Sequence, residues 1–199
     1  MTIACTHTGW AATSPGEAAA PDACSDQTLI GRIADGDQPA MRTLFGRHRV
    51  ALYRWLLRFV GNEALAEDLL SEVFLDVWRQ AAAFERRSSV STWLLAMARY
   101  KALSARRRRT EAELGDDIAS TVADPADDPE MLLQDKDRME LLRHALARLS
   151  PQHREILDLV YYHGNSVKQV AEIVDINEAT VKTRMFYARK KLGELVAAA

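Results

Sequence analysis

At 199 residues the chain has room for one average domain or two small ones, and 48% hydrophobic residues with only 9 Gly and 6 Pro supply enough apolar material for a packed core. That composition excludes a collagenous or wholly disordered protein. Two cysteines without close pairing, Cys5 and Cys24, support neither a disulfide framework nor a cysteine metal site, and no apolar run nears the roughly 20 residues of a bilayer span.

The formal net charge of −2 conceals an asymmetry. Residues 26–109 carry 15 Lys/Arg against 9 Asp/Glu, residues 110–137 carry 10 acids against Lys136 alone, and residues 138–199 carry 10 bases against 7 acids. Two basic modules joined by an acidic connector point to a polyanionic partner for the modules, with the connector repelled by it. The N-terminus shows no basic region leading into an apolar core, so a cytoplasmic setting is expected.

Residues 1–25, rich in Ala, Thr, Ser and Pro, have no apolar period and read as a flexible extension. From there Leu29, Ile33, Met41, Leu44, Phe45, His48, Leu52, Leu56 and Phe59 recur at threes and fours, predicting amphipathic helices broken near Gly36-Asp37 and Gly61-Asn62. Asn62 is placed to cap a helix whose stripe is Leu65, Leu69, Val73 and Val77, closed at Phe84. The polar stretch Glu85–Ser91 predicts a loop. Ser91 or Thr92 then caps a helix from Trp93 to about Arg107, with Trp93, Leu94, Leu95, Met97 and Ala98 largely buried.

Residues 110–137 read as an acidic linker, and a second helical module begins near Asp137 with Met139, Leu142, Ala145, Leu146 and Leu149 on one stripe. Ser150-Pro151 starts a helix to Tyr162 that Gly164 can end. Ser166 and Gln169 form a capping-box pattern before Val167–Val174, and Asn177 caps a last helix to about Val196. No period-two alternation occurs, so the fold class expected is all-α, with two small helical domains.

The two helices between Val167 and Leu192 are separated by a turn of helix-turn-helix length. At about 100° per residue, Val181, Met185, Ala188 and Leu192 share the inner face. Ala179, Thr183, Phe186, Tyr187 and Lys190 lie opposite, flanked by Lys182 and Arg189 on one side and Arg184 and Lys191 on the other. Such a face offers short polar and aromatic groups to base edges and cations to phosphates; the alternative is a plain solvated helix. Asp175 stands at the turn, where glycine is usual, and tolerates left-handed geometry. The five histidines are scattered, and neither a nucleophile triad nor a Gly-rich phosphate loop is present, so no catalysis, cofactor or metal is expected.

The run LSPQHREILDLVYYHGNSVKQVAEIVDINEATVKTRMFYARKKL (Leu149–Leu192) resembles region 4 of bacterial sigma factors of the extracytoplasmic-function group. AEDLLSEVFLDVWRQAAAF (Ala66–Phe84), followed by SSVSTWLLAMARYKALSARRRR (Ser88–Arg109), resembles region 2. The match covers about residues 26–109 and 138–197, with the modules in the family's order.

The resemblance implies a sigma factor that directs core RNA polymerase to promoters under an anti-sigma partner; the alternative is a sigma-like decoy that binds regulatory proteins without binding DNA, which should have lost the basic surfaces that both modules keep. It implies that region 4 contacts the β flap and reads the minus-35 element through Thr180, Lys182, Thr183, Arg184, Phe186, Tyr187 and Lys190. Region 2, by the same token, captures the minus-10 element as a single strand through Arg86, Arg87, Ser88, Ser89, Arg99, Lys101 and Arg106. Strand opening loses stacking of roughly 1.4 kcal/mol per step, which these contacts must offset. Asp68, Glu72, Leu75, Asp76 and Arg79 would meet the β′ clamp helices, a use suited to an acidic face in a basic module. The linker would thread toward the active-site channel, its charge mimicking RNA. Leu94 stands where primary sigma factors carry a second aromatic beside Trp93, so Trp93 reads as a core residue; Tyr100 and Tyr187 also depart from the family's usual residues, Asn and a base.

Overall fold

The computed structural model describes residues 25–112 and 133–197. The expected N-terminal extension, apart from Ser25, and most of the acidic linker lie outside the described residues. Among those described there are only helices and connecting turns: α1 (Asp26–Ala34), α2 (Gln38–Val60), α3 (Glu63–Gln80) with a 3-10 turn at Ala81–Ala83, α4 (Val90–Ala112), α5 (Leu133–Ala147), α6 (Pro151–Tyr161), α7 (Val167–Val174) and α8 (Glu178–Ala197).

Local chemistry sets most of these ends. Asp37 accepts the Ala40 N–H at 3.0 Å and Asn62 the Leu65 N–H at 2.9 Å, satisfying first-turn donors that have no helical partner. Gly61 turns left-handed at φ 70° and returns its N–H to the Leu57 carbonyl, ending α2. The last carbonyls of α5 are covered from outside: Arg154 of α6 donates to Leu146 O at 3.0 Å and to Ala147 O at 2.5 Å.

The boundaries of α4 and the start of α5 differ from the sequence expectation. Helix α4 begins at Val90, because Ser89, and neither Ser91 nor Thr92, accepts the Thr92 N–H at 3.1 Å. It also runs past Arg107 to Ala112, while α5 starts at Leu133, ahead of Asp137. Helical backbone therefore enters both ends of the acidic segment. Four hydroxyl residues within five positions made the cap ambiguous in sequence; Ser89 prevails with its hydroxyl also 2.8 Å from that of Thr92, which is buried.

Helix α2 packs on α1, α3 and α4, burying Trp55, Leu56 and Leu57 against Leu69, Val73, Val77, Leu94 and Ala98. Trp55 stacks on Phe59 at 4.9 Å. Each fully buried large apolar side chain contributes about 1.5–3 kcal/mol, so this cluster dominates the first bundle. In the C-terminal portion α6, α7 and α8 pack together and α5 leans on α8, with a satellite cluster of Ala145, Leu149, Leu157, Ala188 and Leu195. The two portions do not stand apart. Helix α7 packs on α4, and Ile156, Leu159, Val170, Ala171 and Val174 belong to the same buried cluster as the first bundle.

Candidate nucleic-acid interface

The helix-turn-helix is assembled by three side-chain caps. Ser166 Oγ accepts the Gln169 N–H at 3.3 Å while Gln169 Oε1 accepts the Ser166 N–H at 2.8 Å, the reciprocal box that opens α7. Asp175 adopts the left-handed conformation at φ 56° and its N–H returns to Ala171 O. Asn177 Oδ1 then accepts from the Thr180 N–H at 2.7 Å and from its hydroxyl at 2.8 Å, starting α8. With both ends fixed, α8 buries Val181, Met185 and Ala188, with Leu192 partly covered, and presents Ala179, Thr183, Phe186, Tyr187 and Lys190 to solvent. Lys182, Arg189 and Lys191 are exposed beside them; Arg184 is half-buried. Thr180 and Thr183 have their hydroxyl hydrogens engaged by Asn177 and by Ala179 O, which leaves the oxygens as acceptors toward the outside.

Sequence reasoning missed one neighbour of this face. The Arg189 guanidinium lies 5.6 Å from the centre of the exposed Tyr161 ring of α6. No helical period within α8 can reveal a residue contributed by another helix.

In the first bundle the loop before α4 holds Arg86 at φ 58°, a left-handed backbone uncommon for arginine, with the side chain exposed. Arg87, also exposed, pairs with Glu85 at 2.6 Å. Ser88 is half-buried and the Ser89 hydroxyl is committed to the α4 cap. Trp93 is half-buried and packs on Phe84 at 4.9 Å, consistent with a core role.

The structure does not leave Arg99 and Lys101 as solvent-facing cations. Arg99 Nε donates to Glu155 Oε1 of α6 at 2.7 Å, with the carboxylate side chain only 6% exposed. Lys101 Nζ lies 2.7 Å from Asp76 and 3.1 Å from Glu72, both of α3. Burial works to lower the Lys101 pKa, but its hydrogen bonds to Asp76 and Glu72 outweigh that and hold it above the usual lysine value. Arg106 sits 5.6 Å from the Phe59 ring centre and remains on the surface.

On α3, Asp68, Glu72, Leu75 and Arg79 are exposed, while Asp76 is partly covered by its pairing with Lys101. Leu75 is 47% exposed, Trp78 three residues on along α3 is also partly uncovered, and so is Phe45 of α2, whose ring meets that of Phe74. The sequence reading identified Leu75 but not Trp78 or Phe45. Trp78 follows the buried stripe residue Val77, and that off-stripe position is the signal that was available.

At the seam between the portions, Arg58 of α2 lies 2.7 Å from Asp158 and its guanidinium stacks over the Tyr162 ring at 4.8 Å. His163 Nε2 is 3.5 Å from an Arg58 nitrogen. Burial, then the Arg58 charge, push the His163 pKa down from 6.5 to about 4, so the ring is neutral and accepts from the guanidinium. Among the described residues no group of three His, Cys, Asp or Glu side chains is placed to hold a metal ion, and no helix is long and apolar enough to cross a membrane.

The capped helix-turn-helix and the acidic, partly apolar face of α3 together define a two-region transcription factor of helical type. Residues 44–112 match sigma-70 region 2 and residues 139–192 match sigma-70 region 4. The chain is 33% identical over 169 residues to the ECF RNA polymerase sigma factor SigL of Mycobacterium tuberculosis, covering 82% of this chain and 92% of that one. It is likewise 33% identical over 167 residues to the RNA polymerase sigma factor CarQ of Myxococcus xanthus, covering 83% and 94%. Among solved structures, the sigma factor RpoE of Bartonella quintana, in complex with the anti-sigma factor NepR, superposes with a TM-score of 0.63 at 27% identity over 78% of this chain and 96% of that one. The chain belongs to the sigma-70 family, in its extracytoplasmic-function group, and is a sigma factor that directs RNA polymerase to promoters.

Proposed function

We propose that promoter reading is divided between residues 26–109, acting as the region 2 module, and residues 138–199, acting as the region 4 module, with residues 110–137 as the acidic linker. The outer face of α8 reads the minus-35 element in the major groove, Thr180, Thr183, Phe186 and Tyr187 facing base edges while Lys182, Arg184 and Lys190 hold phosphates. Arg86, Arg87, Ser88, Ser89 and Arg106 take the opened minus-10 strand, joined by Arg99 and Lys101 when those cations are released from Glu155 and from Glu72 and Asp76. Asp68, Glu72, Leu75, Asp76 and Arg79 engage the β′ clamp helices, and region 4 engages the β flap. The factor works in the cytoplasm, has no catalysis of its own, and is restrained by an anti-sigma protein.

One observation carries the reading: α8 is fixed at both its entry and its buried face, so its exposed Thr183, Phe186, Tyr187 and Lys190 form a rigid reading surface. Run-off transcription on fragmented genomic DNA with core polymerase tests it. The expected result is initiation at a small set of start sites sharing two upstream elements, and loss of that set when Phe186 and Tyr187 are replaced by alanine. Failure to initiate anywhere overturns the assignment.

A further inference from the structure

Arg189 stands at the edge of the outer face of α8 and is exposed, as is Lys182, two helical turns or about 10.5 Å earlier on the same side of the helix. Together with Met185, Phe186 and Lys190 they line an open concavity of about 480 Å³. The neighbour of Arg189 sets it apart from the other cations of α8. Lys191 pairs with Glu194 at 3.3 Å, and Arg184 is half-buried. Arg189 has no carboxylate partner among the described residues, and its guanidinium carbon lies 5.6 Å from the centre of the Tyr161 ring, at the C-terminal end of α6.

A carboxylate and a ring hold an arginine in different ways. A carboxylate takes up N–H donors and cancels the charge. A ring face attracts the cation without using its N–H donors, so the charge and the donor edge stay available to a second partner. The adjacent Tyr162 shows the contrast: Arg58 lies 4.8 Å from its ring centre but also 2.7 Å from Asp158, so that guanidinium is committed within the fold. Tyr161 is 61% exposed, so its ring does not fill the core. A free arginine side chain samples many rotamers and loses them on binding, whereas one already resting on a ring loses fewer.

We propose that Tyr161 is a positioning residue for DNA binding: its ring holds the Arg189 guanidinium at the rim of α8 and leaves the N–H edge for a backbone phosphate on the wall of the groove that Lys182 also grips. The proposal rests on the reading of α8 as the major-groove helix and adds to it a residue of α6, so that the grip on the minus-35 duplex is built by two helices. A phosphate contact carries no sequence preference of its own; it fixes the register and angle at which α8 sits. The ring contributes about two- to fivefold in affinity, the size of a cation–π contact at an exposed site.

The test uses the full chain and a fluorescein-labelled duplex of mixed sequence, read by anisotropy at several salt concentrations, because a phosphate contact forms on any sequence. Tyr161→Ala is expected to weaken binding about two- to fivefold and to leave the slope of log affinity against log salt unchanged, since the charge is still present. Tyr161→Phe is expected to bind as the wild type does. Tyr161→Leu, which keeps apolar bulk without a π face, is expected to bind as Tyr161→Ala does, and it replaces the alanine variant should that one fold poorly by circular dichroism. Arg189→Ala is expected to weaken binding further and to flatten the slope by about 0.9, and adding Tyr161→Ala to it to change nothing more. A Tyr161 with only a structural role would weaken binding equally with and without Arg189, and that result overturns the proposal, as do an equal loss in Tyr161→Phe or an unchanged affinity in Tyr161→Ala. If Lys182→Ala with Lys190→Ala weakens binding and Arg189→Ala does not, the proposal falls and the reading of α8 stands; if neither does, both fall.

Discussion

Lys101 of α4 sits 2.7 Å from Asp76 of α3, bringing a cation expected on the strand-binding surface onto the acidic helix instead. Its side chain is mostly buried and Glu72 shares it at 3.1 Å. Replacing Lys101 with methionine keeps the aliphatic stem but leaves Asp76 partly buried without its partner. We expect a loss of about 1–3 kcal/mol in urea unfolding, and recovery of much of it when Asp76→Asn is added.

Exposed groups on the same helix carry the next expectation. Asp68 and Leu75 are open to solvent, so changing them together to alanine should leave the melting temperature within a degree or two of the wild type. Affinity for core polymerase should fall about tenfold or more, since an apolar anchor and its charged neighbour are both lost. Co-purification with core polymerase at limiting concentration measures it.

For the DNA face of α8, Lys182 and Lys190 are both exposed. Converting both to alanine should weaken promoter binding by similar factors on all sequences and flatten the plot of log affinity against log salt by about 1.8, or about 0.9 for each phosphate contact. Phe186→Ala should instead alter which minus-35 sequences are preferred. Anisotropy titrations at several salt concentrations distinguish the two effects.

Asp175 ends α7 at φ 56°, where an L-residue with a side chain is disfavoured. Asp175→Gly should therefore stabilise the protein by about 0.5–1 kcal/mol, seen as a higher thermal midpoint with the helix-turn-helix intact. A fall in stability would mean that the carboxylate makes a contribution of its own.

His163 supplies a pH dependence. Its pKa is pushed from 6.5 to about 4 in the fold, so below pH 6.5 the unfolded chain binds a proton that the folded chain refuses. The stability it contributes is complete above pH 6.5 and is lost as pH falls toward 4. Arg58 and Asp158 face the ring. The denaturation midpoint should drop between pH 6.5 and 4.5 in the wild type, and the part due to the imidazole should be absent in His163→Gln.

Where a feature depended on residues a few positions apart, the sequence was a good guide. Asn62, Ser150, Ser166 and Asn177 each cap the helix expected of them, since a cap is chemistry confined to one turn. The inner face of α8 was also legible, because a 3.6-residue period is written in the chain itself. The α4 cap was harder, with Ser88, Ser89, Ser91 and Thr92 all chemically able to serve. The partners of Arg99 and Lys101 were not legible at all. Glu155 is 56 residues from Arg99 and Glu72 is 29 from Lys101, and long-range pairs leave no periodic trace. Treating the modules as separate beads on a linker concealed that one packs against the other.

Ile156, Leu159, Val170, Ala171 and Val174 share a buried cluster with Trp55, Leu94 and Ala98. Idle molecules therefore melt as one cooperative body, and heat finds no weaker half to peel away first. Were the halves parted, greasy flanks would meet water and each half would have to survive on a smaller interior. A chain opened in that way would be easy prey for proteases and a seed for clumping.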